Sequence, residues 1–305
     1  MGLGRLLLFG LAGVVLLLSG VRGQSRPTAT ETLSQSYRGT QRNNVEYQNV
    51  APIKVFDNLY YVGPGFVSVW LIPTSEGLVL IDSAQEPYVD HVVDSIHKAG
   101  FDPRNIKFIL ITHGHLDHFG GAAKIQALSR ARVGMLEEDW QLVEAAGSSA
   151  KQPPGPALKR DLVIKEGEGI LTGKTLLKVY RLPGHTPGSA SFEFTVYDGG
   201  RPHKAFIFGG PGQRNGVEGG TQFRSSIERL ERDFSDVEVP VHVHSWLATY
   251  PYPNGGVFER AQALARRKPG ESHPFVDNAA WRQWLKTAHA GTVKYIEDAK
   301  AGRAK

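Results

Sequence analysis

Lys107-Phe-Ile-Leu-Ile-Thr-His-Gly-His-Leu-Asp-His-Phe-Gly-Gly121 is the stretch on which the fold turns. Phe108 to Ile111 is an apolar, β-branched run with the signature of a buried strand. It ends at Thr112, and the next six residues carry His113, His115, Asp117 and His118. Gly120-Gly121 then opens a helical pattern. The segment therefore predicts a strand, a ligand-rich loop and a helix. Imidazole and carboxylate supply the nitrogen and oxygen donors that zinc accepts. The chain has no cysteine, so a metal here must be held without thiolate.

His113 and His115 are two residues apart. In extended backbone they project to the same side and converge on one ion. The chain turns after Leu116, which aims Asp117 and His118 at a second position. Three histidines and an aspartate this close to a core are costly to hold without a metal. The missing ligands must come from elsewhere. His185 stands in Leu182-Pro-Gly-His-Thr-Pro-Gly-Ser189, a tight loop fixed by proline and glycine on both sides. It completes the His113/His115 set. His242 and His244 lie near the end of an apolar strand over 238–244. His244, nearer the strand end, is assigned to Asp117 and His118; His242 is left as a packed or ligand-orienting residue. His203, His273 and His289 read as surface residues. Two sites of three protein ligands each keep positions open for water, the catalytic rather than the structural pattern. Water between two metals acts as hydroxide at neutral pH, and Asp117 is placed to orient it.

Around this centre the pattern is layered. Residues 59–62, 67–72 and 78–82 read as strands, the last ending on Asp82, either a turn residue or a support for a ligand. A helix is expected over 87–99, helices over 120–129 and 136–146, and a strand near 131–135. The breaker-rich loop 147–157 marks the midpoint. Strands over 161–165, 174–182, 189–197 and 204–208 open the second half. A glycine-rich loop over 209–220, a helix over 222–234 and helices over 256–267 and 278–289 follow. Strands alternating with helices on this scale predict α/β layers, helices outside and sheet inside.

The 305 residues are 41% hydrophobic and 21% charged, enough for one large domain. Residues 6–18 (LLLFGLAGVVLLL) follow Arg5 and precede small residues up to Gly23, the pattern of a signal peptide over 1–23. The run is shorter than the ~18–20 residues that span a bilayer. The expected product is exported, periplasmic or secreted, and meets the membrane only through that segment. Residues 24–50 read as a polar leader, extended on the domain or partly disordered. The main domain covers 51–290, and 291–305 is a charged tail of weak order. The net charge of +5 falls to +3 without residues 1–23. The one tight basic run, Arg266-Arg267-Lys268, sits in a helical pattern without aromatic residues and reads as a solvated helix face rather than a nucleic-acid patch.

His113-Gly-His115-Leu-Asp117-His118 resembles the His-x-His-x-Asp-His signature of the metallo-β-lactamase superfamily. His185 and His244 follow in its order, and the likeness covers about 55–290. It implies a four-layer αβ/βα sandwich with a dinuclear zinc site between two half-sheets, and a supporting role for Asp82. Without cysteine, and with no acid closing Phe206-Ile-Phe-Gly-Gly210, the chain is most similar to the third subclass of class B β-lactamases. Lys268-Pro-Gly-Glu-Ser-His-Pro-Phe-Val-Asp277 also resembles a segment of that subclass. The resemblance implies a hydrolase with two zinc ions that opens a β-lactam amide by metal-bound hydroxide. The alternative is the same machinery acting on a lactone, ester or other amide. Two departures bear on substrate. The serine or threonine that the subclass carries near Gly210 to Gln213 is absent, and Ser245-Trp246 follows the last histidine where proline is usual. Ser245 and Arg214 are the candidates for meeting a small substrate's carboxylate.

Overall fold

The computed structural model describes residues 31–147, 157–245 and 255–303. The expected signal segment and most of the 147–157 loop lie outside them.

Two sheets form the middle of the molecule. The first has seven strands in chain order: β1 (Ile53–Phe56), β2 (Leu59–Tyr61), β3 (Trp70–Thr74), β4 (Gly77–Ile81), β5 (Ile106–Leu110), β6 (Arg132–Leu136) and β7 (Leu162–Ile164). β1 to β4 form an antiparallel meander, and β4 to β7 run parallel. The second sheet contains β8 (Gly169–Thr172), β9 (Thr175–Arg181), β10 (Ala190–Asp198), β11 (Arg201–Phe208) and β12 (Val239–His242), in the order β12-β11-β10-β9-β8. The helices are α1 (Leu33–Arg38), α2 (Val45–Gln48), α3 (Val89–Lys98), α4 (Leu116–Phe119), α5 (Ala122–Ser129), α6 (Glu137–Gly147), α7 (Gly216–Asp233), α8 (Val257–Ala265) and α9 (Asn278–Lys300).

Strand periodicity builds the layers. Trp70, Ile72, Val79 and Ile81 point inward and meet Val179, Phe192, Phe194 and Ile207 of the second sheet. Their neighbours Leu71 and Leu80, with Ile109 and Val133, face outward onto Val89, Val92 and Ile96 of α3, Ile125 of α5 and Trp140 of α6. On the far side, Phe206 and Phe208 pack against Phe223, Ile227 and Leu230 of α7 and Trp281, Trp284 and Leu285 of α9. Both faces of each central strand are covered, which is why LVLI in β4 is continuously apolar. The expected αβ/βα sandwich is the observed fold. The sheets approach closely where the site lies: Ala190 N donates to Thr112 O at 2.7 Å. A Cβ on Gly209 would stand only 1.7 Å from the Ala190 carbonyl oxygen, so no side chain fits there.

Six readings of the sequence need correction. The strand at 161–165 does not open the second half. As β7 it pairs Leu162 with Gly134 and completes the first sheet, so the midpoint falls after it. Breaker-rich composition marks a loop but not which sheet the next strand joins. The strand expected over 67–72 begins only at Trp70. The leader is not a polar appendage. From Thr32, which caps α1, it folds into α1 and α2 and buries Tyr37 and Gln48. Tyr37 packs on Phe258 with ring centroids 4.5 Å apart, and Phe258 N donates to Ser34 Oγ at 3.0 Å. The helix read at 222–234 starts at Gly216, and the charged tail is the end of the continuous α9. These last two errors share a cause. A Cβ on Gly220 would stand 2.8 Å from Ile296, so the glycines that read as loop formers are where the tail lies against α7. Finally, His203 and His273 are buried. His273 stacks on Phe56 at 4.1 Å and bonds the Val55 carbonyl at 2.9 Å, a structural role that spacing did not reveal.

Candidate metal centre

The loop after β5, the loop between β9 and β10, and the segment after β12 meet at one edge of the sandwich. They bring the sequence-predicted residues together as two groups, His113 with His115 and His185, and Asp117 with His118 and His244. Within each group the candidate donor atoms lie within 4.8 Å of one another. The groups adjoin: the ring centroids of His113 and His118 are 3.9 Å apart. Asp117 and His118 turn away from the first group because α4 begins directly after His115.

Hydrogen bonds set which ring nitrogens are free. His118 Nδ1 donates to Asp82 Oδ2 at 2.8 Å, leaving Nε2 buried and without a hydrogen-bond partner. His113 Nδ1 lies 3.2 Å from Thr112 Oγ1, and its Nε2 is likewise buried and unpartnered. His185 Nδ1 donates to the Gly212 carbonyl at 2.9 Å. His244 Nδ1 lies against Arg38 Nη1, which itself donates to the Phe66 carbonyl at 3.0 Å. A ring nitrogen bonded to carboxylate or carbonyl on one side and bare on the other is the arrangement of a metal-ligating histidine. Burying two bare nitrogens side by side would otherwise cost about 1–3 kcal/mol each. The donor sets, three imidazoles and two imidazoles with a carboxylate, fit zinc, and the orphaned nitrogens are where an ion belongs.

Protonation states agree. Burial pushes His113 and His244 well below the ordinary imidazole range. Burial and then Arg214 hold His115 down at about 4, while burial and then His115 hold His185 at about 3. His118 is the exception: burial pulls it down, but Asp82 and Asp117 outweigh burial and raise it. Burial pulls Asp117 up, yet His118, Arg38 and His115 together lower it, so it stays a carboxylate.

Two carboxylates hold this frame. Asp82 closes β4 in left-handed backbone, φ 62°, and accepts from Thr112 N at 2.8 Å as well as from His118. Both open readings of Asp82 therefore apply, since it turns the chain and supports a ligand. Asp139 was missed. It stands in a Glu-Glu-Asp run that reads as an ordinary helix start, yet it is fully buried. Its Oδ2 accepts from Gly114 N at 2.7 Å and Thr186 Oγ1 at 2.6 Å, and its Oδ1 from Gly188 N at 2.7 Å. It thus ties the loop of His113 and His115 to the loop of His185. Nothing in the sequence marks it beyond its helix-start position.

The groups open into a cleft of about 340 Å³, lined also by Arg38, Arg42, Gln85, Leu116, Pro211 and Arg214. Arg214 is where the sequence put it. Ser245 is not: it is buried and lines a separate, small interior cavity with His242 and Arg260. His242 is absent from the cleft too. β12 ends at His242, so the alternation that would put it on one face with His244 does not extend that far. Arg38 and Arg42 were missed, because the leader that carries them was read by composition alone.

Residues 62–198 match the model of the metallo-beta-lactamase superfamily. The crystal structure of BJP-1, a subclass B3 metallo-beta-lactamase of Bradyrhizobium japonicum, is similar at 29% identity and TM-score 0.71, covering 84% of this chain and 98% of that one. The uncharacterized protein YobT of Bacillus subtilis (strain 168) is 27% identical over 154 residues, 48% of this chain and 63% of that protein. Hydroxyacylglutathione hydrolase GloC of Haemophilus influenzae is 33% identical over 93 residues, 29% of this chain and 44% of that protein. The chain thus spans less than two thirds of either curated relative.

Proposed function

We propose that this chain, whose residues 62–198 match the metallo-beta-lactamase superfamily model, is an exported dizinc hydrolase whose foremost substrates are β-lactams. The observation that carries the reading is the pair of buried, partnerless imidazole nitrogens, His113 Nε2 and His118 Nε2, in adjoining three-donor groups. His113, His115 and His185 would hold one zinc; Asp117, His118 and His244 the other. Bound zinc would supply Lewis acidity toward a carbonyl oxygen and acidify water at neutral pH.

The chain's own groups do the rest. Asp117, kept ionised by its cationic neighbours, accepts a hydrogen bond from the attacking water and orients it. Asp82 keeps His118 protonated at Nδ1, which reserves Nε2 for metal. The cleft admits a small molecule rather than a polymer. Likeness to BJP-1 over nearly all of that chain supports the amide reading. Export rests on the apolar run at 6–18 and would yield a mature chain beginning at Gln24. A second reading, hydrolysis of a thioester, ester or lactone, is favoured by the likeness to GloC and by the absence of serine and threonine from Gly210 to Gln213.

A panel on the zinc-loaded mature protein separates them. Rapid opening of a chromogenic cephalosporin, abolished by His115→Ala, supports the first. Cleavage of acyl thioesters or lactones with the cephalosporin untouched supports the second. No hydrolysis of either would sink both.

A further inference from the structure

Arg38, Arg42 and Arg214 line the cleft together. Among the described residues none of them forms an ion pair, whereas Arg104, Arg160 and Arg267 are all matched to carboxylates. Asp117 is the one acid among the residues that line this cleft, and it already belongs to a metal group. Three guanidinium groups thus face a single carboxylate before any metal adds charge. Such a surplus is unfavourable unless an anion joins it.

The side chains of Arg38 and Arg42 are also held in place, and the backbone of Arg214 is anchored. Arg38 ends α1, its Nη1 donates to the Phe66 carbonyl at 3.0 Å, and it lies against the His244 ring. Arg42 stacks its guanidinium 5.0 Å over the Phe66 ring. The turn that carries both is held by Gln48 Nε2, which donates to the Tyr37 and Gln41 carbonyls at 2.8 and 2.9 Å. Arg214 approaches from the loop before α7, its backbone N donating to Gly184 O at 2.9 Å. Guanidinium forks held as those of Arg38 and Arg42 are recognise planar oxyanions with little ordering cost, and Arg214 adds a third from the loop before α7.

We propose that Arg38, Arg42 and Arg214 form an oxyanion clamp that seats a carboxylate or phosphate group of the substrate beside the metal centre. The substrate class is then small anions, and the N-terminal helical segment is a specificity element. The word substrate rests on the hydrolase reading; the clamp itself does not.

Calorimetry on the zinc-free full chain tests it, since no metal then competes for the anion. The probes are succinate, inorganic phosphate and, as the neutral control, dimethyl succinate. Succinate or phosphate should bind, the diester should not, and the tighter of the two anions identifies the group. Arg42→Ala and Arg214→Ala, both at exposed positions, should each weaken binding about three- to tenfold. The double variant should remove it. Absence of anion binding by the parent chain, or undiminished binding by the double variant, overturns the clamp. A kinetic arm compares a chromogenic cephalosporin with its methyl ester on the zinc-loaded chain. The free acid should be preferred, and Arg42→Ala should raise KM with kcat held. If neither form is hydrolysed, the β-lactamase reading fails while the calorimetric result still decides the clamp.

Discussion

The His113, His115, His185 group and the Asp117, His118, His244 group lie side by side but are held differently. Behind the first stand a hydroxyl (Thr112), a carbonyl (Gly212) and the clasp of Asp139 across two loops. Its imidazoles are all depressed, so it is a pocket of neutral nitrogen donors. Behind the second stand charges: Asp82 bonded to His118 and Arg38 against His244. The first group depends on loop geometry, the second on a balance of charge. The carboxylate that serves each differs, which makes the comparison breakable by single substitutions.

The largest effect is expected from His115→Ala. Losing a donor from the neutral pocket should lower hydrolysis on the order of 10³-fold, measured as kcat/KM on the zinc-loaded chain. Retention of a tenth of the parent rate would mean the first group is not where chemistry occurs. Asp82→Asn and Asp139→Asn form the next pair. Asp82→Asn should weaken zinc at the second group about 10–100-fold and leave the first intact, by competition with a chromophoric chelator. Asp139→Asn should do the reverse, with about 1–3 kcal/mol of lost stability from donors left unpaired at Gly114, Thr186 or Gly188. Identical metal losses in the two variants would erase the distinction.

The smallest effect is a pH dependence in the zinc-free chain. His113, His115, His185 and His244 have folded pKa values below the unfolded imidazole value, so below about 6.5 the unfolded chain binds more protons. Their contribution is present above that pH and is lost as pH falls toward about 4. His118, raised by Asp82 and Asp117 against its burial, works in the opposite direction. The sum should be a stability that drops between pH 6.5 and 4 in urea melts. Its contribution is fully present below about 6.5 and is lost as pH rises through its raised folded pKa. Replacing His118 should therefore remove a decline above pH 6.5 and leave the acid-side drop in place. A flat profile from pH 6.5 to about 4 would contradict the neutral pocket.

The layers and all six candidate ligands were legible because periodicity and spacing are local properties. The apolar run before Thr112 fixed a buried strand, and the i, i+2 histidines on extended backbone fixed a shared target. What stayed hidden depends on distant packing. Gly216 to Gly220 reads as loop until Tyr295 is seen to meet Gly216 and Ile296 to meet Gly220. Arg38 reads as leader until Tyr37 is seen to pack on Phe258. Asp139 reads as a helix-start acid because its three partners come from loops 25 to 49 residues away. Ser245 was misplaced for the same reason, since it is buried where its carbonyl accepts from Val257 N of α8 at 2.9 Å.

The most direct test of the two-group centre is metal stoichiometry. Zinc titrated into the metal-free full chain, with bound metal counted after dialysis, should reach two ions per chain. His185→Ala and His244→Ala should each retain one. A parent chain that saturates at one ion, or variants that both still hold two, would contradict a centre built from two independent three-donor groups.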